Sequence, residues 1–484
     1  MKTGLRLERF LQNPVVKMIG AIVAIYAMLF LILGSLSEFN PNVFCYDDNI
    51  NQWLPVIDKT FYSFFHEGKL RYWNYSIMGG INILDTGVYS IVNPFMLLSY
   101  MIKEFLHISN TITVYIFIIV GAGGCVFYWI AYKIGIPKLQ RYSLVFCLYC
   151  CSAFWVKGNW YYVVNNIFIG ALMAACFFVF DSGKRRWYYP GIVLGFSIYL
   201  GNVQYSVMWY MVMAIIYLTL FVRKRDYAEL VMMVTNVIVG MLLSFPQLML
   251  CLRASQNTVF ENGNPDFFTN PLHIFTMIYH GILPDDVIES VTGVTLVEYY
   301  FSSHFYFCGG LLLGAFFLVA RLWITRKNDG AANDVGAAFF MAAIFFGLWG
   351  LGKKGIVAEI LYRFPIINGF RLLEKVWFVI LPLLFAVLLY VVKEDTVTTR
   401  ILIALSVLLG AINISTISIW GGSVSNRNEL VDNDAIDQND YKIISFFGNE
   451  GDVCGLNSTH KYAMRSGAFN ECAYYGIFSG GGTT

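Results

Sequence analysis

"MKTGLRLERFLQNPVVKMIGAIVAIYAMLFLIL", residues 1–33, decides how the rest of the chain is read. Lys2, Arg6, Arg9 and Lys17 precede the apolar run from Met18 to Leu33. That order has the layout of a secretory signal, but no small-residue cleavage site follows it, and many more apolar runs come later. The segment therefore reads as an uncleaved first membrane span. Composition agrees. The 484 residues are 57% hydrophobic and only 13% charged, where a soluble domain carries roughly 25% charged residues. Many segments must sit where charge is not tolerated, and runs of about 20 apolar residues then read as spans. The net charge of +2 gives no electrostatic footprint for nucleic acid.

Backbone polar groups in lipid must be satisfied internally, so the spans are expected to be helices. The apolar runs place them near 18–36, 111–133, 142–156, 161–180, 188–203, 205–222, 229–251, 303–323, 335–351, 374–392 and 401–420. The expected fold is all-α and transmembrane, with about 11 membrane-spanning helices. The apolar stretch 92–106 is short and reads as an interfacial or re-entrant element. Orientation follows from lysine and arginine. With the N-terminus inside, every short inside loop is basic: Lys133, Lys138 and Arg141; "KRR" at 184–186; "RKR" at 223–225; Arg321, Arg326 and Lys327; Lys393 and Arg400. Residues 1–420 then form one polytopic domain with external loops at 37–110, 252–302 and 352–373. Residues 421–484 form an extracytoplasmic tail. Loops this long carry structure or function, so the working end is expected to face away from the cytoplasm.

The first external loop holds "YDDNINQWLPVIDKTFYSFFHEGKLRYWNYSIMGG", residues 46–80. Taken as a helix at the membrane surface, Asp47–Trp53 puts Asp48 and Gln52 on one face, four apart. Trp53, Phe61, Tyr62, Phe64 and Phe65 suit the interface. The plain reading is a solvated amphipathic loop whose carboxylates cap a helix. Elsewhere, Asn159, Trp160, Asn165, Asn166, Gln204 and Tyr205 lie near outer span ends, where amides and aromatics either grip a ligand or bond helix to helix. Cys125, Cys147, Cys150, Cys151, Cys176 and Cys251 lie in or beside apolar runs and read as small packing residues. The CxxC spacing of Cys147 and Cys150 lacks a zinc or redox context. Cys454 and Cys472 sit in the polar tail and, if it is external, are placed to form a disulfide or to stay free.

An acidic residue with Gln and Trp four and five positions on, the "GKLRYWN" stretch, the pair Gly79–Gly80 and "YSIVNPF" at 89–95 together resemble the YfhO-like family of bacterial multi-pass membrane proteins. "FPIINGFRLLEKVWFVILPLLFAVLL", with Arg371 before a span, and the tail from Tyr441 are similar to that family as well. Members continue past this point, so the chain reads as a fragment or a short member. The resemblance implies a GT-C glycosyltransferase that takes a sugar from a polyprenyl-phosphate carrier and passes it to an envelope acceptor such as a teichoic acid. It assigns the general base to Asp48, with Asp47 as fallback; such a base acts when ionised and within reach of the acceptor hydroxyl. It assigns the leaving phosphate to Arg371, with Lys375 and Arg363 sharing the role. Gln52, Trp53, Trp73, Asn74, Gln204, Tyr205 and His280 are the substrate-binding candidates.

Against these stand plainer readings: interface snorkelling for Arg371, a structural His280, and a turn or helix cap for the "LPDD" at 283–286. No cofactor and no metal is required, since "YDDN" does not meet a DxD pattern; a divalent cation beside Asp47 and Asp48 stays open. No Gly-rich nucleotide loop stands out. The expected partners are the polyprenyl-phosphate donor, an envelope polymer and membrane lipids. The competing class is a transporter or flippase of lipid-linked sugars, which would share the spans and the outer cations.

Overall fold

The computed structural model describes residues 13–37, 39, 43–44, 49, 53–70, 72–74, 81–85, 87, 89–107, 110–151, 154–155, 160–180, 187–256, 290, 331–350, 352, 355–364, 373–393, 396–416, 442–443 and 478–479. Within them the chain is helical. In order run α1 (Pro14–Ser37), α2 (Leu54–Glu67), α3 (Pro94–Leu106), α4 (Thr111–Lys133), α5 (Lys138–Tyr149), α6 (Asn165–Phe178), α7 (Tyr189–Ser197), α8 (Val203–Lys224), α9 (Ala228–Gln256), α10 (Ala331–Trp349), α11 (Ile356–Leu361), α12 (Trp377–Val392) and α13 (Val397–Thr416). Tight 3₁₀ turns lead into α6 (Tyr161–Val164) and α12 (Leu373–Val376) and continue α7 (Ile198–Leu200). Strand structure among these residues is two short ladders. β1 (Trp73–Asn74) pairs antiparallel with β2 (Ile81–Asn82), and β3 (Lys442–Ile443) pairs parallel with β4 (Phe478–Ser479).

Six of the described helical segments are long and apolar enough to cross a membrane: Pro14–Ser37, Thr111–Lys133, Tyr161–Phe178, Val203–Lys224, Ala228–Arg253 and Val397–Ser415. Three shorter apolar helices accompany them, at Tyr189–Leu200, Asp334–Trp349 and Trp377–Tyr390. The chain is a membrane protein by this measure. The described helices fall close to the apolar runs of the sequence, but the runs read as spans at 188–203, 335–351 and 374–392 give the three shorter helices, and one more run departs further. The run read as a span at 142–156 forms a 12-residue helix, Lys138–Tyr149, that ends at Cys150. There the indole N–H of Trp155 donates to the carbonyl of Tyr149 at 2.6 Å and takes up one of the helix's last acceptors. The run at 303–323 lies outside the described residues. The short apolar stretch at 92–106 forms the helix α3, Pro94–Leu106.

Asparagines start three of these helices. Asn93 accepts from the N–H of Phe95, Asn110 from Ile112 and Thr113, and Asn202 from Gln204. An uncapped N–H costs more near lipid than in water. The segment Tyr161–Phe178 is the centre of the bundle, with 89% of its residues buried, against 22% in an 18-residue apolar stretch of α1. α4 lies against α6 because Gly123 has no side chain: a Cβ there would stand 2.8 Å from the Ile167 side chain and 3.3 Å from its backbone. Beside it, a Cβ on Gly124 would stand 2.0 Å from the Tyr149 hydroxyl. α9 packs on α7, and α10 packs between α8 and α12.

The bundle has two unlike ends. At one, Arg223 of α8 meets Asp334 of α10 at 2.6 Å, and Lys224 meets Glu229 at 3.2 Å across the α8–α9 turn. At the other end of α8, the Tyr205 ring meets that of Tyr162, which belongs to an aromatic cluster. α2 and α3 belong to the aromatic end. A buried ion pair, Lys103 Nζ to Asp58 Oδ2 at 2.8 Å, ties them together, and the Thr111 hydroxyl donates to the other Asp58 oxygen from the first turn of α4.

Candidate functional site

Tyr162 is the hub of the aromatic end. Its ring centroid lies 6.0 Å from that of Trp53, 5.7 Å from Tyr161 and 6.2 Å from Tyr205, and the Lys375 ammonium stands 5.9 Å from it. Four separate stretches therefore meet here: the segment just before α2, the turn into α6, the start of α8 and the turn into α12. Trp53 also meets Tyr89 and Tyr161 edge-on, at 5.5 and 6.3 Å. Lys375 is nearly buried, and its ammonium lies 5.1 Å over the Trp160 ring. A cation held over two aromatic faces is stabilised by about 0.5–2 kcal/mol, most when desolvated.

A polar network fixes the rings. The Tyr161 hydroxyl donates to Ser90 Oγ at 3.1 Å. Asn93 donates to the Tyr115 hydroxyl at 2.8 Å, which in turn donates to Asn165 at 2.6 Å, and Asn165 donates to the carbonyl of Leu200. Asn166 accepts from the Trp209 indole at 2.8 Å. The chain passes from the residues just before α3 through α4 and α6 to the 3₁₀ turn that continues α7, so the ring positions depend on all of them. Burial pushes the Tyr89 hydroxyl up to about 12.

Two donors in this cluster are left over. Among the described residues, neither the Trp53 indole N–H nor the Tyr205 hydroxyl has a hydrogen-bond partner, and both atoms are buried. Tyr205 as a whole is 3% exposed. A buried polar group without a partner costs about 1–3 kcal/mol. Such a group is open to a bond from water or from a ligand. Tyr205→Phe is therefore expected to raise the melting free energy of the ligand-free protein by about 1 kcal/mol while weakening whatever ligand uses that hydroxyl. Denaturation in detergent, paired with a binding or activity assay, reads both; loss of stability would show that the hydroxyl is already satisfied.

Of the residues singled out from the sequence, the structure brings Trp53, Tyr205 and Lys375 together. Gln204 sits beside Tyr205, its backbone N–H held by Asn202 at 2.8 Å. Arg363 does not join them. It pairs with Glu359 at 3.4 Å at the exposed end of α11 and, among the described residues, makes no hydrogen bond, ion pair or ring contact with the cluster. Trp73 and Asn74 form β1, opposite Asn82 and Ile81. Asp47, Asp48, Gln52, His280 and Arg371 lie outside the described residues, as do Cys454 and Cys472. The helix read over 47–53 has only Asn49 and Trp53 described; α2 begins at Leu54. Of the cysteines in the apolar runs, Cys147, Cys150 and Cys151 are buried in the core, and the Cys151 thiol donates to the Cys147 carbonyl at 3.4 Å. No group of three metal-ligating side chains occurs among the described residues.

Tyr89, Tyr161 and Tyr162 were not legible as site residues. "NWYYVVNN" at 159–166 carries the signal: its amides and Trp160 read as polar residues at a span end, and the two tyrosines between them pass as core. Asp85 is also new. Its Oδ1 is buried without a partner among the described residues. Burial holds its carboxyl above the ordinary range, offset in part by Arg253 and by a hydrogen bond with Asn82. Nearby, Gln247 of α9 donates to the Leu84 carbonyl at 2.7 Å and anchors this loop. No protein-family model matches the chain, and no curated protein matches it.

Proposed function

We propose that this chain is an integral membrane glycosyltransferase of the GT-C type. It moves a sugar from a polyprenyl-phosphate carrier to a hydroxyl of an envelope polymer, such as a teichoic acid, at the extracytoplasmic face of a bacterial cytoplasmic membrane. In this reading about 11 helices span the bilayer and the basic end, with Arg223 and Lys224, faces the cytoplasm. One observation carries the proposal: Tyr162 gathers Trp53, Tyr205 and Lys375 from three distant segments, leaving two buried donors and a cation at the same end of the bundle. Rings and neutral donors suit a sugar's CH faces and hydroxyls. A nearly buried ammonium suits the phosphate that departs. The donor is half lipid, which accounts for a catalyst embedded in the membrane.

Asp48 acts as the base on the acceptor hydroxyl, with Asp47 beside it, and Arg371 joins Lys375 on the leaving phosphate. The sugar leaves phosphate oxygen for the acceptor oxygen. The acceptor proton goes to the carboxylate, and the carrier departs as polyprenyl phosphate. The test is incubation of the purified protein with labelled polyprenyl-phosphate sugars and candidate acceptors. A carrier-dependent product that disappears with Asp48→Asn is the expected result. Movement of the carrier across vesicles without a covalent product would replace this reading with a flippase.

A further inference from the structure

The cations at the basic end fall into two classes. Arg223 and Lys224 each have a carboxylate partner. Lys133, Lys138 and Arg141, at the turn between α4 and α5, have none among the described residues. The turn itself brings them together. α4 ends with the N–H of Ile136 bonded to the Ala131 carbonyl at 2.9 Å and that of Gly135 bonded to Tyr132 at 3.2 Å. Gly135 takes a φ of +90°, a left-handed conformation that costs glycine little. The chain reverses within four residues, and α5 starts at Lys138.

Arg141 is held rather than loose. Its guanidinium lies 5.3 Å from the Tyr128 ring and 5.1 Å from Tyr132, and its Nε is buried without a hydrogen-bond partner. Stacking keeps the guanidinium plane fixed, the geometry that receives phosphate oxygens in pairs. Lys133 and Lys138 are exposed beside it. The surroundings are those of a bilayer boundary: Tyr132 is 49% exposed and Leu139 79% exposed, the first an interfacial residue and the second a side chain with no reason to face water. Three cations without a carboxylate partner among the described residues, one of them preoriented, between an interfacial ring and an exposed leucine call for an anion that arrives with acyl chains attached.

We infer that the α4–α5 turn is a binding site for the headgroup of an anionic phospholipid in the adjoining leaflet, with Arg141 gripping the phosphate and Lys133 and Lys138 supplying the surrounding charge. The inference needs the membrane, not the transfer reaction, and stands if the latter fails.

The test uses the full-length protein in a zwitterionic detergent, titrated with phosphatidylglycerol or phosphatidylcholine, with bound lipid read by native mass spectrometry. The wild type is expected to retain phosphatidylglycerol preferentially. Affinity should fall about five-fold for each cation removed, in Lys138→Ala and in Arg141→Gln. Arg141→Lys should fall part of the way, since it keeps charge but not the flat fork. Lys138→Ala touches an exposed side chain and keeps the test meaningful if Arg141→Gln does not fold. Arg223→Gln, in a paired cation, should change binding less than about two-fold. Equal retention of the two lipids, or unchanged affinity in Lys138→Ala and Arg141→Lys, overturns the inference. So does saturable binding of inorganic phosphate with no lipid preference.

Discussion

Lys103→Met is expected to destabilise the protein by about 3–5 kcal/mol, the largest stability loss of any single change considered. The side chains of Lys103 and Asp58 are 10% and 6% exposed, and their 2.8 Å ion pair joins α3 to α2. Taking either charge out of water is costly, and the pair is tolerable because each group answers the other. Methionine fills the same volume but leaves the Asp58 carboxylate with the Thr111 hydroxyl as its sole remaining neutral donor among these contacts. The orphaned charge, not lost packing, is the source of the penalty. Two consequences follow from that cause. Lys103→Arg should cost far less than Lys103→Met. The double change Asp58→Leu with Lys103→Met should recover most of the loss, because a well-packed apolar pair can match a buried ion pair. Denaturant titration of the four proteins in detergent measures the cycle. Additive losses in the double variant would show that the two charges do not depend on each other.

Lys375→Met is expected to lower carrier-dependent transfer by roughly 100-fold, the scale seen when one preorganised stabiliser of a departing anion is removed. Lys375 is 9% exposed and its ammonium lies over Trp160 and Tyr162. A methionine can occupy the same slot, since thioethers also pack well against aromatic rings. Stability should therefore change by no more than about 1–2 kcal/mol, and the loss of activity would not be a folding defect. Lys375→Arg should keep a substantial part of the rate. Transfer by Lys375→Met at the wild-type rate would remove the phosphate role from this residue and, with it, the main support for placing the reaction at the aromatic end. Comparing Lys375→Met with Tyr205→Phe separates the two ends of the ligand: the first should act on the phosphate, the second on the sugar.

Much of this protein was determined by sequence alone. Apolar runs of span length specify helices because lipid offers the backbone no other partner, and α1, α4, α8, α9 and α13 lie close to where those runs fall. The asparagines before α3, α4 and α8 specify their starting points for the same reason, since each supplies the acceptor that lipid cannot. Lysine and arginine recur in alternate short loops, and those charges suffice to propose an orientation. Tertiary structure decided the rest. Trp53, Tyr162, Tyr205 and Lys375 are up to 322 positions apart by their numbers, and no periodicity relates them; they meet because α6 is enclosed by its neighbours and glycines let α4 approach it closely. Whether a charge is paired is also invisible in a sequence. "RK" at 223–224 and "KLQR" at 138–141 look alike as basic runs, yet only the fold brings Asp334 and Glu229 to the first and leaves the second facing tyrosine rings. Local hydrophobicity acts on neighbours along the chain, while pairing and ring contact act through space, and that difference separates what could be read from what had to be folded.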